Sequence, residues 1–290
     1  MIWSGRAQKL YDSRWKEYPA YFVGTDEVEV KVMSDAIIGI FADIAEVFVD
    51  IWLNKIIGRF TGKNRKGFLA VFSGFPEHHF SEEITKRLRK ELIRRKSIVF
   101  ISACPLDYEQ NDDDCDGMHE MFVEQGLGFE KHCVIDKRTE PALARELVKH
   151  ADCIFLMGGG VCEDQLDLIR EKGCYKTLLN CQAAIFGVSA GSMNMAKKNV
   201  DFFESMEPID GLGLTDFTVS CHHDPADTWR YEQTLRMSED RVVYAMEDMS
   251  AFFIKDGKVD IVGKIYRVEN RVLTLLTDGE NVKLATPHKH

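Results

Sequence analysis

The chain has 290 residues, of which 45% are hydrophobic and 29% charged, and its formal net charge is -10. That length suits one large α/β domain or a domain with an appendage, and the acidic balance argues against a nucleic-acid partner, which needs a basic face. Eight cysteines without a Cys-x-x-Cys pair exclude the usual structural zinc pattern, and no cofactor is implied. Free thiols in a chain whose residues 1–16 are polar and aromatic rather than leader-like point to a cytoplasmic protein.

Residues 1–66 read as an N-terminal extension and 67–290 as the main domain. Ser34 to Phe60 is predicted to be one helix, with Ser34 as its cap and Asp35 in the first turn. Asp35, Gly39, Asp43, Glu46, Asp50 and Asn54 form a narrow polar stripe, while Ile37, Phe41, Ile44, Phe48, Ile51 and Trp52 fill the apolar remainder. The acidic residues exclude an integral membrane span, and an acidic polar face is wrong for an anionic lipid surface. The helix of 34–60 is therefore expected to bury its apolar face on protein, on the main domain or on the second subunit of a homo-oligomer. Residues 61–67 read as a linker.

From Phe68 onward short apolar runs alternate with amphipathic stretches. Strands are predicted at 68–73, 97–102, 131–135, 153–157 and 183–188. Helices follow at 81–95, 118–126, 141–150, 163–172 and 190–198. This alternation predicts an α/β fold, a mostly parallel sheet with helices on both faces. The short runs 242–245, 251–255, 259–262 and 272–276, with a turn at Asp256-Gly257, read as C-terminal hairpins that finish the sheet. Asp112, Asp114, Asp116 and Gly117 match the opening of a calcium loop, but Val123 stands where that loop needs glutamate. The segment reads as a solvated acidic loop that caps a helix at Met118.

Ala183 to Val188 runs straight into Ser189-Ala190-Gly191-Ser192 and then a helix-compatible run. This is the strand-turn-helix setting of a Gly-x-Ser-x-Gly elbow, with Ser189 as nucleophile and the Ala190 N–H as an oxyanion donor. A second donor is expected from Gly158-Gly159-Gly160 at the end of the strand at 153–157, with Gly159 and Gly160 the candidates. No Gly-Lys-Ser/Thr follows, which excludes a phosphate loop. The hydroxyl needs a base. His222 and His223 both lie at a strand end, after Phe217–Ser220. A carboxylate should orient the imidazole, and Glu247-Asp248 end the strand at 242–245.

These residues together resemble a family. The Gly-Gly-Gly strand end, Gly-Val-Ser-Ala-Gly-Ser at 187–192 and Gly211-Leu212-Gly213-Leu214 leading to Ser220-Cys221-His222 are similar to the peptidase E and cyanophycinase family of serine peptidases. The resemblance covers Phe68 to the C-terminal hairpins and implies a fold like the class I glutamine amidotransferase domain. It implies His222 as the base, with His223 where an aromatic usually sits, and places Asp248 at the family's glutamate with Glu247 beside it. Glu204 falls where some relatives carry an aspartate. Relatives that cut after an N-terminal aspartate carry an asparagine at the position of Val161 and a downstream arginine, for which Arg230 and Arg236 are the candidates. With Val161 there, strict aspartyl specificity is not expected.

The function so implied is hydrolysis of a peptide or amide bond in a small, dipeptide-like substrate through an acyl-enzyme on Ser189. A second class is a non-catalytic domain that binds a ligand or partner on the same scaffold. Glutamine amidotransferases use cysteine at the elbow, whereas position 189 is serine.

Overall fold

The computed structural model describes residues 67–160, 162–200 and 206–276. The expected helix of 34–60, Glu204 and Val161 lie outside these residues. Among the described residues no helix is long and apolar enough to cross a membrane.

A central sheet of seven strands organises the domain. Its parallel strands are β1 (Leu69–Phe72), β2 (Ser97–Ile101), β3 (Lys131–Ile135), β4 (Cys153–Leu156) and β5 (Ala184–Val188), in the spatial order β1-β5-β4-β2-β3. The helices between them are α1 (Glu82–Glu91), α2 (Tyr108–Glu124), α3 (Pro141–His150), α4 (Cys162–Glu171) and α5 (Tyr175–Asn180). α6 (Ala190–Met195) follows β5.

β1, β4 and β5 are apolar along their length and β2 beyond Ser97, because helices cover both faces, whereas the edge strand β3 begins on the part-exposed Lys131 and His132; successive residues sort to opposite sides. Leu69, Val71, Val99, Ile101, Ile154, Leu156 and Ile185 join an aliphatic core with Ala144 and Val148 of α3 and Leu166 and Ile169 of α4. Phe68, Phe72, Phe100, Phe155 and Phe186 join an aromatic core with Ile84 and Leu88 of α1 and Phe122 of α2. Some rings meet edge to face, as Phe72 does with Phe186 at 5.8 Å and Phe80 with Phe122 at 4.9 Å, and others stack, as Phe72 does with Phe155 at 6.2 Å.

The acidic segment is not a loop. α2 begins at Tyr108, ten residues before the expected start at Met118, and it contains Asp112 to Gly117. Two of its charges have partners from elsewhere: Arg138 binds Asp112 and Asp136 and lies 4.9 Å over the Tyr108 ring, and His132 meets Asp116 at 2.8 Å. Asn111 is buried within the same helix, bonded to Ser102 and to the Cys104 carbonyl.

The C-terminal half departs from a single sheet. β10 (Ala251–Lys255) returns antiparallel to β1, and its hairpin partner β11 (Lys258–Val262) closes that edge. The hairpin of β12 (Ile265–Glu269) and β13 (Val272–Leu276) does not finish this sheet, contrary to expectation. It pairs with β9 (Val243–Met246), and β9 pairs with β8 (Thr218–Ser220), giving a second sheet in the order β13-β12-β9-β8. β6 (Lys198–Val200) and β7 (Pro208–Asp210) form a small ribbon, and α7 (Thr228–Met237) follows β8.

Candidate active site

β5 ends at Val188 and α6 begins at Ala190, so Ser189 alone makes the turn, at φ 53° and ψ -120°. A non-glycine residue rarely adopts this conformation, and its neighbours hold it there. The Ser189 N–H donates to the Ser73 carbonyl at 3.0 Å, and the Ser189 carbonyl accepts from Met193 N–H. The turn needs bare backbone: a Cβ on Gly191 would lie 2.2 Å from the Leu156 carbonyl, so α6 starts hard against the end of β4.

β8 and β9 run side by side in the second sheet and deliver the partners. His222 follows β8 at φ 57°, and Asp248 follows β9. His222 Nε2 lies 2.7 Å from Ser189 Oγ, and Nδ1 lies 2.7 Å from Asp248 Oδ1. A carboxylate only accepts, so Nδ1 carries the proton and Nε2 presents its lone pair to the serine hydroxyl. The histidine and aspartate side chains are 35% and 36% exposed, which leaves the chain open to a solute.

The remaining candidates fall in different places. His223 is buried, between the rings of Tyr231 at 5.7 Å and Tyr266 at 5.3 Å, and burial lowers its pKa against the upward pull of Glu247 and Asp224. It is not within the Ser189 chain. Glu247 turns the other way, accepting from Tyr266 Oη at 2.8 Å and pairing with Lys264. Adjacent residues on a strand end point to opposite sides, which is why one acid reaches His222 and the other does not.

Of the three glycines, Gly158 abuts the serine: a Cβ there would sit 3.0 Å from Ser189 Cβ. Gly159 and Gly160 lie one step further, against Cys104 and the Ala103 carbonyl. Ala190 opens α6 directly after Ser189. Arg230, in the first turn of α7, reaches the Cys221 carbonyl at 3.5 Å, one residue from His222. Arg236 is exposed at the far end of α7, where it bonds Gln233. The structure thus brings Arg230 to the site and leaves Arg236 away from it.

One thiol, Cys221, borders the serine and another, Cys104, borders the glycine turn, and burial raises the pKa of both. Burial pushes the Cys221 thiol up, with Cys162 and Asp248 adding to the shift, and its Sγ lies 3.6 Å from the Ser189 carbonyl. Cys104 is raised by burial and then by Asp107, Asp164 and Asp114. A neutral thiol is a poor nucleophile.

Sequence reasoning missed three supports of the site. Gly74 follows β1, and a Cβ there would lie 2.4 Å from Asp248 Oδ1 and 2.5 Å from His222 Cε1, so the acid and imidazole rest on its main chain. Ser73 bonds the His222 N–H. Buried Gln165 of α4 donates to the Met157 and Ile101 carbonyls and accepts from Asn194 of α6, tying the glycine turn to the elbow helix. Only Gly74, beside a strand end, carried a sequence signal; the two polar residues look like any others until the fold buries them.

The model of Peptidase family S51 matches residues 68–262. No curated protein matches the chain. Among solved structures, a peptidase from an acI-B1 Actinobacterium is 17% identical with a TM-score of 0.59, covering 74% of this chain and 96% of its own. A candidate peptidase E protein from Listeria monocytogenes EGD-e is 15% identical with a TM-score of 0.52, covering 68% of this chain and 98% of its own. At these identities the two structures share the fold, a sheet with helices on both faces. The chain belongs to peptidase family S51 and is a serine-type peptidase.

Proposed function

We propose that the chain hydrolyses a peptide or amide bond in a small peptide, with Ser189 as nucleophile, His222 as base and Asp248 as the acid that orients it. The observation that carries this reading is the unbroken chain from Ser189 Oγ to His222 Nε2 and from His222 Nδ1 to Asp248, each step 2.7 Å. Ser189 Oγ attacks the carbonyl carbon while its proton passes to Nε2. The tetrahedral oxyanion is met by the Ala190 N–H and a main-chain N–H of the turn at Gly158 to Gly160. His222 then gives the proton to the leaving amine, and water, activated by the same imidazole, releases the acyl group.

The substrate end of the site is read from Arg230 and Val161. Arg230 offers a cation beside His222 for an acidic or polar substrate group. Val161, apolar where relatives carry asparagine, leaves a substrate carboxylate with one partner fewer, a loss of about 1–3 kcal/mol. We therefore propose a dipeptidase-like enzyme that is not strict for N-terminal aspartate. Eight cysteines free of disulfides fit a reducing compartment such as the cytoplasm.

The test is hydrolysis of a dipeptide library by the wild type and Ser189→Ala, followed by kcat/KM on Asp-Leu, Asn-Leu, Ala-Leu and Gln-Leu. The expected result is turnover abolished in the variant and an Asp-Leu preference of no more than about a hundredfold. Turnover that survives Ser189→Ala overturns the nucleophile, and a preference of a thousandfold or more overturns the specificity.

A further inference from the structure

Ser73 stands one position past the end of β1 and touches each member of the Ser189–His222–Asp248 chain. Its carbonyl accepts the Ser189 N–H at 3.0 Å. Its Oγ accepts the His222 N–H at 2.7 Å and lies 3.3 Å from Asp248 Oδ1. A hydroxyl has one proton, and the nearer acceptor for it is the Met246 carbonyl at 2.9 Å. That carbonyl also accepts the His223 N–H at 2.8 Å. The two successive amides at His222 and His223 thus hang from one hydroxyl and one carbonyl.

This matters because of the backbone at His222. At φ 57° the residue occupies a left-handed region that is uncommon for residues other than glycine, and its main chain needs a partner there. The Ser73 hydroxyl is fully buried and receives the N–H of that strained residue. A serine that merely ended a strand would need no partners in two other strand ends. The turn after Asp248 is fastened to the same place, since Ser73 N–H reaches the Ser250 carbonyl at 3.2 Å and Met249 N–H reaches the Gly74 carbonyl at 2.9 Å.

We propose that Ser73 is a positioning residue for the reaction at Ser189. Its hydroxyl holds the His222 main chain at the angle that aims Nε2 at Ser189 Oγ and keeps Nδ1 on Asp248. The proposal rests on the serine hydrolase reading above. Its carbonyl, which supports the elbow, survives any substitution, so Ser73→Ala releases the imidazole and leaves the nucleophile in place.

The experiment follows covalent labelling of Ser189 by a fluorophosphonate over a range of probe concentrations, which separates the maximal rate from the half-saturating concentration. Ser73→Ala is expected to lower the maximal rate by on the order of tenfold to a hundredfold, as a displacement of about 1 Å does. Half-saturation should stay within about twofold, because binding of the probe is untouched. Ser73→Thr, which keeps the hydroxyl, should recover most of the rate. In a His222→Ala background Ser73→Ala should have no further effect, because the hydroxyl acts through the imidazole. If the alanine variant does not fold, Ser73→Cys, a weak hydrogen-bonding side chain of similar size, should show the same loss. Labelling of Ser189 at the wild-type rate in either variant overturns this inference alone, as does an equal loss without His222. A wild type that does not label at Ser189 overturns the hydrolase reading and this inference with it.

Discussion

Ser189 and His222 both hold positive φ, at 53° and 57°, and each such residue costs of order 1–3 kcal/mol. At these angles Ser189 Oγ and His222 Nε2 lie 2.7 Å apart. Ser189→Gly is therefore expected to leave stability unchanged or raise it by about 1 kcal/mol while removing all serine reactivity. Denaturant unfolding measures this, and a loss of more than about 1 kcal/mol would show that the turn is not strained. The two acids separate equally cleanly. Asp248→Asn should favour the wrong imidazole tautomer and cut turnover by on the order of 10⁴-fold. Glu247→Gln, which faces Tyr266 and Lys264, should change turnover by no more than about twofold; equal losses would assign the acid wrongly.

His223 and His119 carry a pH dependence with a definite sign. Burial lowers both pKa values below the ordinary 6.5, and His132, stacked on His119 at 4.0 Å, lowers the second further. The unfolded chain takes up protons near 6.5 while the folded chain does not, so stability present above that pH is lost as pH falls toward the folded values. In His223→Phe, unfolding free energy should fall less between pH 7 and pH 5 than in the wild type. An identical slope would show that His223 does not contribute.

At the scale of elements, the glycine turn and the elbow are separate loops that must keep one spacing. Gln165 and Asn194, both buried, join them by a hydrogen bond of 3.0 Å. Asn194→Ala strands the Gln165 side-chain carbonyl and should cost about 1–3 kcal/mol in denaturant unfolding; a change below about 0.5 kcal/mol would remove the link between the loops.

The elements that were legible in the sequence are those whose apolar period was unbroken. β1, β2, β4, β5 and α3 are such cases, because burial on both faces makes central strands apolar; the edge strand β3 showed only its last three residues as an apolar run. α2 was legible only in its last turns. Its first half is acidic, and what it packs against or pairs with there, Ser102 for Asn111, Arg138 for Asp112 and His132 for Asp116, comes from other elements and could not be seen locally. α7 was missed for a related reason: it has few buried residues, and its Asp227 cap, bonded to the Arg230 N–H at 3.0 Å, sits in a run of polar residues. Ser189 and His222 could be named as candidates because each falls in a motif, Gly-Val-Ser-Ala-Gly at 187–191 and Ser-Cys-His at 220–222. Ser73 and Gln165 could not, because their roles depend on partners from distant strands.

At the scale of the whole molecule, the site is divided between two sheets. Ser189 comes from the seven-stranded sheet, whereas His222 and Asp248 leave adjacent strands of the smaller one. The chain passes from Asp248 directly into β10, which pairs with β1, so the two sheets are locked beside the site. Packing far from the serine should then govern its reactivity. Ile265, fully buried on β12, faces Met246 across the ladder, two residues before Asp248. Ile265→Ala should cost about 2–5 kcal/mol of stability. It should also slow Ser189 labelling under conditions where the protein stays folded. Unchanged labelling would show that the small sheet does not set the His222–Asp248 geometry.

The most direct measurement is mass-spectrometric mapping of the fluorophosphonate adduct on the full chain, alongside Ser189→Ala and His222→Ala. The account predicts one adduct, on Ser189, absent from the first variant and formed far more slowly in the second. An adduct on any other residue, or labelling that persists in Ser189→Ala, would contradict it.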